Sequence, residues 1–304
     1  MQLSLALPTS GAWATPSNVA AIAREVDDAH GFRGLWTFQR WLASDDLAGV
    51  YQSVLDPMIA LAYAAAVTSR VRLGLAVVNG PFYAPVALAK QFAALDVLSS
   101  GRLDAGIGLG WSPLEYAAAG VPMEERGRRF DEWLDCLDVL LTGERVSFDG
   151  KYYTVPPSTI APLPVQWPRP PVLIGGTAPA ALRRAGRRDG WISSSRATIG
   201  DVRGAVSAVR DAASRAGKAP DAVRCVVRGV TVLHDASVSG ADRRPLTGSL
   251  DQIRDDLAVY AGCGVDEVFL DLNFDSERVG NPRADPAVGM ELVARVLQLG
   301  AERF

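Results

Sequence analysis

The chain has 304 residues, 48% hydrophobic and 21% charged, a balance that excludes a disordered, collagen-like or disulfide-framework protein. Its 31 basic and 34 acidic side chains leave a formal charge of −3 with no long run of one sign, so nothing recommends a nucleic acid or an anionic membrane surface as partner. Length alone leaves one or two domains open, because an α/β barrel uses this many residues for one core.

Residues Met1 to Pro8 alternate polar and apolar side chains, with neither a basic stretch nor an apolar run long enough to be a signal peptide or a spanning helix; the expectation is a cytoplasmic protein. The first strand is predicted over Leu3 to Leu7. Thr15 then caps a helix with Pro16 at its first position and Val19, Ile22, Val26 and Ala29 on one face. A second strand, Gly34 to Phe38, is followed by a helix behind Asp56-Pro57. A third, Val71 to Val78, leads to a helix that Pro85 starts and Gly101 stops. The fourth, Arg102 to Leu109, leads to the clearest apolar stripe of the chain, made of Phe130, Trp133, Leu134, Leu137, Leu140 and Leu141 and closed by Gly143.

Between residues 144 and 171 the rhythm breaks. Val146 to Val155 reads as a hairpin turning at Asp149-Gly150, and prolines follow, so this stretch is an insertion and residues 1–304 form one domain. The alternation then resumes with strands at Val172 to Ile174, Gly190 to Ser193, Val223 to Leu233 and Val265 to Leu272. Their helices begin near Ala178, Ile199, Ser249 and Asp285, with a capping box at Ser249 and Gln252 and Pro286 just inside the last start. Eight strand–helix units of this size predict a closed (β/α)8 TIM barrel; a doubly wound open sheet is the alternative.

Several chemistries are missing. His30 and His234 stand apart from any cluster at metal-ligand spacing, and the sequence has no nucleophile elbow, phosphate-loop Lys or Cys-x-x-Cys pair. Cys136, Cys225 and Cys263 read as reduced, buried thiols. What remains lies just past the strand ends, where a barrel builds its site. Gly175-Gly176-Thr177 after strand five and Ser193-Ser194-Ser195-Arg196 after strand six put bare amides and helix N-termini where an anion can sit. Trp111, behind the glycine-rich end of strand four, is a large ring in need of a surface to cover.

The run from Tyr83 to Leu137 (with GRLDAGIGLGWSP at its centre), the segment PPVLIGGTAPAALRRAGRRDGW and the strand-two GFRGLWTF resemble the bacterial luciferase-like monooxygenase superfamily, and in particular its deazaflavin-dependent oxidoreductases. The resemblance implies a luciferase-like (β/α)8 barrel with an insertion between strands four and five, commonly a homodimer, that binds FMN or the deazaflavin coenzyme F-420. It places a cis peptide facing the ring at Ala76-Val77, a cofactor-facing side chain at Asn79, and phosphate contacts at Gly175, Gly176 and Thr177 and at Ile192, Ser194 and the adjoining Ser195. Where family dehydrogenases of sugars and alcohols carry Asp-His after strand two, this chain has Gln39-Arg40. Trp111 stands where they carry an acid. Gln39 is then a candidate for the edge of the ring, and Arg40, which cannot act as a base, for stabilising negative charge on the substrate; a salt bridge is its bland alternative. Trp111, Glu115, Trp41 and Tyr116 are further candidates at the substrate, and Phe82 and Tyr83 for lining the pocket.

These readings together imply hydride transfer between F-420 and a small organic substrate, reduction of an activated double bond rather than alcohol oxidation. An FMN-dependent monooxygenase using O2 and a non-catalytic cofactor carrier are the alternatives. A separate reductase or dehydrogenase would regenerate the reduced cofactor.

Overall fold

The computed structural model describes residues 1–43, 49–240 and 242–301. Eight parallel strands follow one another in chain order and close into a ring. They are β1 (Gln2–Ala6), β2 (Phe32–Thr37), β3 (Arg72–Leu75, resuming at Val78–Asn79), β4 (Leu103–Gly108), β5 (Val172–Gly175), β6 (Gly190–Ile192), β7 (Arg224–Val230) and β8 (Glu267–Asp271). Closure comes from β1, which pairs with β2 on one side and β8 on the other. The predicted barrel is the observed one.

Around it pack α1 (Pro16–Asp28), α2 (Pro57–Ala65), α3 (Pro85–Leu98), α4 (Pro113–Ala118), α5 (Arg126–Thr142), α6 (Pro179–Arg187), α7 (Ile199–Arg215), α8 (Leu250–Gly262) and α9 (Pro286–Val296). Their starts follow local chemistry. Thr15, Asp56, Ser249 and Asp285 each accept a backbone N–H of the first turn, and prolines stand at the first turn of α1, α2, α3, α6 and α9. The third strand is interrupted at the cis peptide Ala76-Val77, where the resemblance places one. Two features depart from the sequence reading: the seventh strand stops at Val230 instead of running on to Leu233, and the linker behind β4 contains the short helix α4, capped by Ser112.

Strand alternation sorts the barrel interior into layers. At the N-terminal end Ser4, Arg72, Asp104, Arg224 and Glu267 form a polar plug joined by Arg33. Burial pushes the Asp104 carboxyl up, but Arg224, Arg72 and Arg33 overcome it and bring it down to about 2. Above the plug lies an apolar layer of Ala6, Trp36, Ala76, Leu173, Ile192, Val226 and Phe269. Trp36 stacks on Phe269 with centroids 5.2 Å apart, in space that a Cβ on Gly74 would fill, 2.3 Å from the indole. The larger core lies between strands and helices, where the α5 stripe from Phe130 to Leu141 is buried as expected.

In the insertion, Arg145–Asp149 and Thr154–Thr159 pair as an antiparallel hairpin. Glu132 of α5 holds its turn by accepting the N–H groups of Lys151, Tyr152 and Tyr153. The three cysteines are buried and unbridged. Burial, aided by Glu132 and by Asp266 respectively, pushes the Cys136 and Cys225 thiols up to about 11 and about 12.

Candidate active site

A cavity of about 460 Å³ opens at the C-terminal rim of the barrel. It is built from consecutive strand ends: Phe38, Gln39 and Arg40 after β2, Ala76, Val77 and Asn79 in β3, Gly108 to Trp111 at β4, Gly175 to Thr177 at β5, Ser193 to Ser195 after β6, and Arg228 on β7. The glycine turn and the serine turn share this one wall because β5 and β6 are neighbours, with Gly175 opposite Ile192. Of the sequence-predicted positions, Ile192 stays outside the wall, its side chain pointing down into the apolar layer, and the candidates Trp41, Phe82, Tyr83 and Tyr116 do not line the cavity either.

Small residues shape the floor. A Cβ on Gly108 would lie 2.6 Å from Val77 Cγ2, and one on Gly175 would lie 2.8 Å from Val77 Cγ1, so Val77 sits in a notch only glycines leave open. Gly176 has φ +127°, a conformation side chains disfavour. Its carbonyl accepts the Trp191 indole N–H at 2.7 Å, which fixes the turn that leads into α6.

Gln39 is occupied by the protein. Its Oε1 accepts the Asn79 N–H at 2.8 Å and its Nε2 donates to the Tyr83 hydroxyl at 2.6 Å, so it locks the end of β2 to the resumed β3. Burial, then Asp56, push the Tyr83 phenol up. Tyr83 and Phe82 stand behind the wall against Trp41.

Arg40 is buried, with its side chain only 3% exposed. Its Nη1 lies 3.1 Å from Glu115 Oε2, and its Cζ is 4.6 Å from the ring centres of both Tyr51 and Trp111. The surface Trp111 covers is therefore this guanidinium. Arg40 Nε has no hydrogen-bond partner. Glu115 is fully engaged: Oε1 accepts the N–H groups of Trp41 at 2.7 Å and Leu42 at 3.3 Å while Oε2 faces Arg40. It braces the loop after β2 and is not free to deliver a proton. Tyr116 likewise donates to the Leu109 carbonyl.

Arg228 escaped the sequence reading. It follows Arg224 and Val226 at every second position of β7, so it points inward at the end where the cavity begins. Its Nε donates to Asp271 at 2.7 Å, its backbone N–H to Ser193 Oγ at 2.9 Å, and its guanidinium lies between Phe38 and Phe274. Arg126, at the start of α5, was also missed. It reaches the same cavity beside the Gly110 carbonyl and has no ion pair among the described residues. Both histidines lie elsewhere, His30 exposed at the end of α1 and His234 beyond β7. No group of three or more metal-ligating side chains occurs among the described residues, and no helix there is long and apolar enough to cross a membrane.

Residues 2–243 match the family model of the luciferase-like monooxygenases. The chain belongs to that family. An uncharacterized protein of Mycobacterium tuberculosis is 36% identical over 211 residues, covering 64% of this luciferase-like chain and 73% of the relative. The crystal structure of the monooxygenase RslO1 from Streptomyces bottropensis superimposes with a TM-score of 0.81 at 26% identity over 99% of this chain and 98% of that one. An F-420-dependent secondary alcohol dehydrogenase shares the fold over the full length of both chains, with a TM-score of 0.80 at 15% identity.

Proposed function

We propose that this luciferase-like protein transfers hydride between coenzyme F-420 and a small organic substrate, reducing an activated C=C, C=N or C=O bond. The cavity fits such a cofactor: glycines at 108 and 175 leave the notch around Val77 free of Cβ atoms. The turn at Gly176, the serine turn and the unpaired Arg126 together suit a phosphorylated tail. When bound, the cofactor supplies the hydride; the protein supplies position and charge.

The observation that carries the reading is Arg40. It is a buried cation on the cavity wall whose Nε–H has no acceptor in the protein, and it can stabilise negative charge that develops on an acceptor atom. Alcohol oxidation needs a base instead. Among the described residues the wall holds no histidine, and its carboxylate Glu115 is consumed by two backbone amides and Arg40.

The test is anaerobic mixing of the protein and reduced F-420 with a panel of enones, imines and aldehydes. The expected result is reoxidation of F-420 matched by formation of the saturated product. The second reading, an FMN-dependent monooxygenase, is favoured by the likeness to RslO1 across almost the whole chain. Oxygen uptake with reduced FMN, and no turnover with reduced F-420, would establish it instead.

A further inference from the structure

The substrate end of the cavity repeats one arrangement twice. Arg40 lies between Tyr51 and Trp111, with its Cζ 4.6 Å from each ring centre, and faces Glu115. Arg228 lies between Phe38 and Phe274, at 4.4 and 4.3 Å, and faces Asp271. Phe38, Tyr51 and Phe274 touch one another, with centroids 5.6 to 6.3 Å apart, and join the two clamps into one aromatic surface.

Both carboxylates are spent. Glu115 also takes two backbone N–H groups, and Asp271 takes the backbone and side-chain N–H groups of Asn273. Each arginine is thus neutralised by its own partner, Arg40 through Nη1 and Arg228 through Nη2, while Arg40 Nε is left without a hydrogen bond. Among the described residues this end offers apolar ring faces and arginines each balanced by one carboxylate. A carboxylate brought against Arg40 would meet Glu115, which already balances that arginine, and among the described lining residues the cation without an ion pair, Arg126, stands instead at the Gly110 carbonyl. A carbonyl oxygen meets only donors.

We propose that the substrate is a neutral, planar, conjugated carbonyl compound whose oxygen is received by Arg40 and whose π system lies on the aromatic surface. The proposal deepens the hydride-acceptor reading and rests on it for the role of the conjugated bond.

The test reads binding alone. Equilibrium titration of the full-length protein, with and without F-420, uses three probes of one shape: 4-phenyl-3-buten-2-one, cinnamate and 1-phenyl-1-butene. The ketone is expected to bind about tenfold tighter than the acid and than the hydrocarbon, as a hydrogen bond from a charged donor allows. In the Arg40→Met/Glu115→Gln protein, which removes both charges together, the ketone falls to the affinity of the hydrocarbon, and the hydrocarbon is unchanged. Trp111→Ala, a change at a side chain 56% exposed, provides a second variant that leaves the core intact; it is expected to lower the ketone's advantage at least threefold. Cinnamate binding as tightly as the ketone, an advantage that survives both variants, or no binding of the ketone would each overturn the proposal. If the redox reading alone is wrong, hydride transfer fails while the carbonyl preference persists.

Discussion

At the scale of single residues, Arg40 combines a structural and a chemical part. The ion pair with Glu115 and the two ring faces hold the guanidinium still, and its Nε–H has no acceptor in the protein. Arg40→Met is therefore expected to lower turnover about 100-fold, the usual effect of losing one charge-stabilising donor. Steady-state kinetics would measure this, and F-420 affinity should stay within about threefold. The pair Arg40 and Glu115, and Trp111 beside them, could be picked out from their places after β2 and β4. The way they are joined could not, because Glu115 meets Arg40 across 75 residues of chain. Arg228 was legible in principle. Alternation along β7 puts it inward with Arg224 and Val226, a signal easily lost when a buried strand reads as one apolar run.

At the scale of elements, capping and periodicity carried most of the information. The α5 stripe shows why: Phe130, Trp133 and Leu137 are fully buried, and the Trp133 indole donates to the Tyr83 carbonyl at 2.9 Å, which ties the helix to the segment behind the cavity. Trp133→Ala should cost about 3 to 5 kcal/mol of stability, measured by chemical denaturation. The interruption of β3 and the helix α4 were not visible in the pattern. The first comes from the tertiary fit of Val77 against Gly108 and Gly175, and the second is six residues long, too short for a period to repeat. The Gln39 clamp was invisible for the same reason as the Arg40 pair, since both its partners lie about 40 residues away.

At the scale of the whole molecule, the ring of strands has a charged plug at one end and the cavity at the other. Asp104 is held down to about 2, against burial, by Arg224, Arg72 and Arg33, below its ordinary value of 3.8. A lowered folded value means that the stabilisation is present in full above about pH 4 and is lost as pH falls toward 2. Acid titration of stability should show a loss of about 2 kcal/mol over that window, and Asp104→Asn should remove that pH dependence along with much of the stability. The homodimer belongs to the proposal as well. Helix α2 is apolar on nearly every face, yet leaves Ile59 70% and Tyr63 45% exposed, as a covered surface requires. Light scattering should give twice the chain mass for the native protein and the chain mass for Ile59→Arg. The central claim is that consecutive turns of β5 and β6 gather around the anionic end of a redox cofactor. Calorimetric titration with F-420 tests it most directly, comparing the native protein with Gly176→Val, whose side chain the φ of +127° and the nearby Ala181 would not admit. Saturable one-to-one binding, weakened at least tenfold in a variant that remains folded, is the predicted result; equal binding by both proteins, or none by either, would contradict it.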